Sequence, residues 1–255
     1  MKTSTIKKIF FAILITAIWI SVWQGIYVFF DNPLFVESPY NVAVRFLELA
    51  SQFVFWKTVF LSVSNILVGF ILGVLFGTVM AFISINNFLD KLFAPLKIII
   101  RATPVASFIM LTWIWLKRSD IPIFISFLMV TPIVWGNVST GIKNIKKEYI
   151  ELAYVYKFSK IKKLKSIYLP SVLPYFATSV CTSSGLVWKA GIAAEVLCQP
   201  QGTIGANLFE AKGFLETLDV FVWTGVVIII SIILEMLIKM ALKRIERRFK
   251  FVGLT

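Results

Sequence analysis

Residues 151–170 read ELAYVYKFSKIKKLKSIYLP. The stretch holds Lys157, Lys160, Lys162, Lys163 and Lys165, and long apolar runs flank it. A dense positive segment inside an apolar chain is either a surface for an acidic partner or a loop on one side of a membrane. Composition decides between them. Of 255 residues, 58% are hydrophobic and 15% are charged, with a mean hydropathy of +0.86. A soluble domain is about 45–50% apolar and about 25% charged. Runs of about 18 or more apolar residues are long enough to cross a bilayer. The sequence therefore reads as an all-α integral membrane protein.

About six spans are expected: 6–30, 58–85, 93–116, 121–141, 168–190 and 219–240. The first is longer than the apolar run of about 7–15 residues in a cleaved signal peptide, so it reads as an uncleaved span. The third contains Arg101 and Pro104 and is expected to kink or to open at the cytoplasmic side. The fourth contains Pro132, which a span tolerates when neighbouring helices satisfy the freed carbonyl.

Lysine and arginine set the orientation. Lys2, Lys7 and Lys8 precede the first span, and Lys91 and Lys97 follow the second. Eight lysines follow the fourth: Lys143, Lys146, Lys147, Lys157, Lys160, Lys162, Lys163 and Lys165. Lys239, Lys243, Arg244, Arg247, Arg248 and Lys250 close the chain. With six spans these regions share one side, so both termini and the 142–167 loop are expected in the cytoplasm. The net charge of +13 is then a matter of topology and not of nucleic-acid binding.

The chain has no histidine, which removes the commonest metal ligand and general acid–base. It shows no glycine-rich phosphate loop and no cysteine cluster. No catalytic set, metal site or cofactor is expected. Cys181 and Cys198 read as free buried thiols. No internal repeat is evident, which counts against folds built from two visible halves.

Three local features point to function or packing. Gly69, Gly73 and Gly77 form a GxxxGxxxG row that lets another helix approach closely. Packing within the subunit is favoured over a dimer contact. Glu195 lies near the outer end of the fifth span, where a carboxylate faces protein or water. It reads either as a structural hydrogen-bond acceptor or as part of a path or docking surface. Trp113, Trp115, Trp135 and Trp188 are candidates for a pathway; Trp19, Trp23, Trp56 and Trp223 read as interfacial belts. In the opening stretch, Ile150, Ala153, Tyr154 and Phe158 share a helical face, with lysines over much of the remainder. Such a face needs a cover, either the lipid interface or a partner protein.

The same stretch resembles the cytoplasmic signature of the inner-membrane permeases of binding-protein-dependent ABC importers. That signature is E-A-A, three residues, G, nine residues, I-x-L-P. Glu151, Ala153, Ile167, Leu169 and Pro170 match at the right spacing; Leu152 replaces the second residue and Lys157 replaces the glycine. RATPVASFIMLTWIWL at 101–116 resembles the R-x-x-P-x-x-A segment of the nitrate, sulfonate and taurine branch. GLVWKAGIAAEVL and QGTIGANL resemble that branch's W-x-x-x-x-A-A-E segment and its glycine-rich continuation.

The resemblance covers residues 58–245 of a single permease domain, 1–255, with a coupling loop at 142–170. It implies a type I ABC importer permease fold in a bacterial inner membrane. It implies cytoplasmic ABC ATPase subunits that dock on Glu151, Leu152, Ala153, Lys157, Ile167, Leu169 and Pro170. It also implies an extracytoplasmic solute-binding protein and a second permease subunit, a copy of this chain in preference to a different one. Trp113, Trp188 and Glu195 are the candidates for the translocation path or gate. The permease itself would be non-catalytic. The substrate would be a small solute, nitrate-, sulfonate- or taurine-like or like a thiamine precursor. The competing class is a stand-alone secondary transporter or channel, which would place ionisable groups deep in its spans; the candidates are Glu235, Lys189 and Glu195.

Overall fold

The computed structural model describes the backbone of residues 2–250 and the side chains of residues 10, 11 and 13–244. The charges expected on Lys2, Lys7, Lys8, Arg247, Arg248 and Lys250 lie outside the described residues. Every regular element among the described residues is helical. In chain order these are α1 (Lys2–Phe30), α2 (Pro39–Ala50), α3 (Phe53–Ile83), α4 (Asn87–Ala102), α5 (Val105–Thr112) and α6 (Ile121–Lys143). They continue with α7 (Lys147–Val155), α8 (Lys160–Lys163), α9 (Leu169–Cys198), α10 (Ile204–Gly213) and α11 (Thr217–Lys250).

Each expected span falls on a helix or a helix pair. Four helices, α1, α3, α6 and α11, are long and apolar enough to cross a membrane, and α4 with α5 makes a fifth if the bent pair is one span. The 30 residues of α9 extend about 45 Å, enough to cross. Its hydroxyl-bearing residues lower its hydropathy. Thr178, Ser179, Thr182, Ser183 and Ser184 each donate to a carbonyl three or four residues earlier at 2.8–2.9 Å. Those bonds satisfy the hydroxyls within the helix, so α9 can sit in the interior of the bundle.

The third expected span is not one rod. Its axis turns by 101° between α4 and α5. Pro104 is the cause: the residue before a proline is driven out of the helical region, and Thr103 is extended at φ −78°, ψ 129°.

Three helices form the centre. The glycine row of α3 packs against α6 within the same chain. A Cβ at Gly73 would meet the Cβ of Val130 at 2.8 Å, one at Gly77 would meet the Thr131 carbonyl at 2.7 Å, and one at Gly69 would collide with the Ile123 carbonyl. Side chains at these positions would force the two helices apart. On the far side of α6, Gly141 accommodates the ring of Tyr175 on α9. The buried core joins Ile66 and Phe70 of α3, Val130, Val134 and Val138 of α6, and Val180 and Val187 of α9.

The amphipathic α2 closes one end of the bundle. Ser38 caps it by accepting from the Asn41 amide at 3.1 Å, and Pro39 opens it. Arg45 of α2 clamps Asp219 of α11 with two bonds of 2.7 and 3.0 Å. Trp223, expected in an interfacial belt, is instead buried and stacks on Phe55 with centroids 5.2 Å apart. Trp19 stays exposed on α1, whose apolar surface is almost wholly uncovered by this chain.

Candidate functional site

The loop between α6 and α9 is a folded unit. α7 ends at Val155 with Tyr156 as its cap, and Lys157 takes the left-handed conformation at φ 49°. The Phe158 amide donates back to the Ala153 carbonyl at 2.9 Å, and the Lys157 amide to the Tyr154 carbonyl at 3.0 Å. This pair of bonds is a Schellman motif, which places its left-handed residue one position past the helix cap. The glycine-type turn is therefore kept although a lysine occupies it. Ser159 then caps α8, its hydroxyl accepting from the Lys162 amide at 3.3 Å. One π-helical turn, Leu164–Tyr168, carries the chain into α9.

A small core holds the loop together. Ile145, Ala153 and Ile167 are buried in it, and Ile150, Phe158 and Tyr168 pack around them. Lys162 and Lys163 lie over the rings of Phe158 and Tyr168 at 4.2 and 5.8 Å. The sequence-expected face is corrected in one place: Tyr154 does not share the inner side with Ala153 but is 87% exposed. Ala153 turns in toward the end of α6; Tyr154, Val155 at 72% and Tyr156 at 70% turn out. Leu152 and Ile161 are exposed apolar residues as well. Glu151 and Lys157 are exposed, Leu169 is partly exposed and Pro170 half-buried. The motif thus divides into residues that build the loop (Ala153, Ile167) and residues that border its outer surface (Glu151, Leu152, Lys157).

Glu195 belongs to a different site. Its carboxylate is fully buried and accepts from the Ser62 hydroxyl at 2.8 Å and the Gly205 amide at 3.1 Å. Ser62 in turn accepts from the Ile204 amide at 2.9 Å. Gly205 sits so close to Glu195 that a Cβ would collide with the Glu195 side chain. The first turn of α10 is thereby fastened to both α9 and α3, with the carboxylate at the positive end of a helix. Ser62 and Gly205 carry no local signal that pairs them with a carboxylate 133 and 10 residues away.

The tryptophans divide as well. Trp188 is buried and donates to the Val227 carbonyl of α11 at 3.0 Å, which links α9 to α11. Trp113 caps α5 at the surface, with the Arg118 guanidinium 5.3 Å from its ring centre. Trp135 is buried and donates to the Ser84 hydroxyl at 2.7 Å. Cys198 is a free, buried thiol, as expected, and Cys181 is half-buried.

Arg101, an exposed residue, meets α6 farther from its charged end than the sequence suggested. Its Nη2 donates to the Pro132 carbonyl at 2.8 Å. Pro132 is the midpoint of α6, eleven residues from Ile121 and eleven from Lys143. The guanidinium is therefore about 16 Å from either end of that helix, not at its charged end. The neighbouring residues Asp90, Lys97 and Lys143, unremarked in the sequence apart from the charge of the lysines, join α4 to α6. Asp90 accepts from Lys97 at 2.9 Å and from Lys143 at 2.6 Å. Lys143 and then Lys97 hold the Asp90 carboxyl below the usual carboxylate range.

Comparison with known proteins adds the family context. A family model described as "Binding-protein-dependent transport system inner membrane component" matches residues 73–251. The bicarbonate transport system permease protein CmpB of Synechococcus elongatus is 27% identical over 157 residues, 61% of this chain and 55% of that protein. The nitrate import permease protein NrtB of the same organism is 28% identical over 158 residues, 60% of this chain and 55% of that protein. The match thus spans only about half the length of these relatives. Among solved structures, a chain of the bacterial alginate ABC transporter, crystallised with a pentasaccharide-bound periplasmic protein, shares the fold. Its TM-score is 0.57 at 16% identity, covering 99% of both chains.

Proposed function

The chain belongs to the family of binding-protein-dependent transport system inner membrane components, and we propose that it is the permease subunit of an ATP-driven importer for a small oxyanion. Hydrolysis takes place in separate cytoplasmic ATPase subunits, an extracytoplasmic binding protein delivers the solute, and two copies of this chain enclose the path. The termini and the 142–170 loop face the cytoplasm, in line with the lysine distribution.

The observation that carries this reading is the outward face of α7. Leu152, Tyr154, Val155, Tyr156 and Ile161 are exposed apolar residues of a lysine-rich loop that has a core of its own. A loop that only rested in lipid headgroups would need no such scaffold. A surface that receives a push does. The core ties α7 to the segment just after α6 through Ile145 and to the entry of α9 through Ile167. Asn144 also donates to the Tyr175 hydroxyl of α9 at 3.1 Å. Force applied to Tyr154 and its neighbours is thereby delivered to two central helices together. Closure of the ATPases would move them as a pair and change which side of the path is open.

The oxyanion class comes from the relatives named for bicarbonate and nitrate. The secondary-transporter reading fares worse. Of its coupling candidates, Glu195 is engaged in fastening α10, and Glu235 pairs with Lys239 on its own helix. Co-purification tests the proposal. Tagged native chain should bring down a protein that mass spectrometry identifies as an ABC ATPase. A folded Tyr154→Glu, Val155→Glu chain should lose it. Equal capture by both chains would overturn the docking role of this face.

A further inference from the structure

α4 places Asp90, Ala94, Lys97 and Arg101 at intervals of four, three and four residues, which is one face of a helix. α6 opposes them with Gly136, Thr140 and Lys143 at the same kind of spacing. Between the two helices lies a cavity of about 430 Å³, lined by Ala94, Lys97, Arg101, Gly136, Asn137 and Lys143 among others. That volume is in the range of small-molecule sites, about 300–1,000 Å³.

The charges around it are unbalanced. Lys97, Arg101 and Lys143 are three cations; Asp90, which bridges both lysines, is the carboxylate that answers them, leaving a net of two positive charges. The lysines are both engaged. Lys97 is held between Asp90 and the Trp135 ring, 4.5 Å from its centroid, and Lys143 is held by the other Asp90 oxygen. Arg101 differs. Among the described residues it has no carboxylate partner, and the Pro132 carbonyl takes one of its five N–H donors. Its place is built for it: a Cβ at Gly136 would come within 2.5 Å of Nη2. A larger residue there would require the guanidinium to shift.

Arg101 is exposed on this chain, and a cation midway along a membrane-spanning helix faces water or protein, not lipid. The guanidinium fork matches the paired oxygens of a planar oxyanion. We propose that the α4–α6 cavity is an anion-binding step on the translocation path, with Arg101 as the residue that binds the anion's oxygens. The lysine–aspartate cluster forms its mouth toward the coupling loop. Its place on a path rests on the importer reading; its charge selectivity does not.

Thiol labelling separates the two. Ala94→Cys, introduced into the full chain in nanodiscs, is reacted with a negatively charged sulfonatoethyl and a positively charged trimethylammonioethyl methanethiosulfonate. Labelling of the parent chain, with its two native cysteines, is subtracted. The ratio of negative to positive reagent rates should exceed one, and should fall about tenfold in Arg101→Gln, since clefts of one sign concentrate their counter-ions. Arg101→Lys should retain most of the ratio. Gly136→Ala, which keeps every charge but displaces the guanidinium, should lower it. Nitrate should slow the negative reagent at Ala94→Cys in the native background and not in Arg101→Gln. A ratio indifferent to Arg101→Gln, or equal nitrate protection in both chains, would overturn the site. An Arg101-dependent ratio in a chain that captures no ATPase would uphold the anion site and overturn the importer reading.

Discussion

Lys157 shows how a single residue can depart from a motif without changing its geometry. A side chain at positive φ costs on the order of 1 kcal/mol relative to glycine. The Schellman bonds and the burial of Ala153 against Phe158 hold it there nonetheless. Lys157→Gly should therefore stabilise the loop by less than about 1 kcal/mol, since glycine also gains freedom in the unfolded chain. ATPase capture should not change. Lys157→Val, β-branched, should destabilise it by about 1–3 kcal/mol. Hydrogen exchange of the Phe158 amide reads both; slower exchange in the valine variant than in the glycine variant would contradict the conformation assigned to this position. Glu195 makes the parallel case at the other end. Glu195→Ala should leave the Gly205 amide without its acceptor, at about 1–3 kcal/mol, and speed exchange across the first turn of α10. Glu195→Gln should do so much less.

Among the elements, what the sequence could disclose depended on whether cause and effect were neighbours. Pro104 breaks the third span at its own position, so the break was readable. The glycine row was readable as a close contact, with packing within the subunit favoured, but nothing in α3 named α6 as its partner. Gly73→Leu should destabilise the chain by about 1–3 kcal/mol through overpacking against Val130 and Phe127. A thermal shift in detergent measures this; an unchanged melting temperature with loss of dimer would move the row to a subunit interface. The depth of Arg101 was not readable, because it follows from how far α4 runs along α6 before the bend. The cluster that aligns those helices gives a pH prediction. Asp90 is held below its unfolded value of about 3.9, so its contribution is complete above that value and is lost as pH falls through the lower, folded one. Stability of the α4–α6 contact should be flat from about pH 5 to 8. Asp90→Asn should lower the melting temperature throughout that range, and the difference should vanish only in stronger acid. A difference that already disappears near neutrality would mean another group holds α4 in place.

For the whole molecule, the I-x-L-P signature was legible because its ends are bound by spacing along one loop. The loop's outer surface was less so: periodicity put Tyr154 with Ala153, whereas Ala153 is buried in the loop core and Tyr154 is exposed. The proposed coupling loop lies at one end of the bundle and the fastened α10 at the other. A basic cavity lies between, on the flank of α6. The most direct test of this arrangement is site-specific photo-crosslinking in cells, with a benzoylphenylalanine at position 154 compared with one at 150. Position 154 should crosslink to a protein that mass spectrometry identifies as an ABC ATPase, and position 150, packed against the loop core, should not. A crosslink from 154 only to lipid, with none to an ATPase, would contradict the coupling role of the loop.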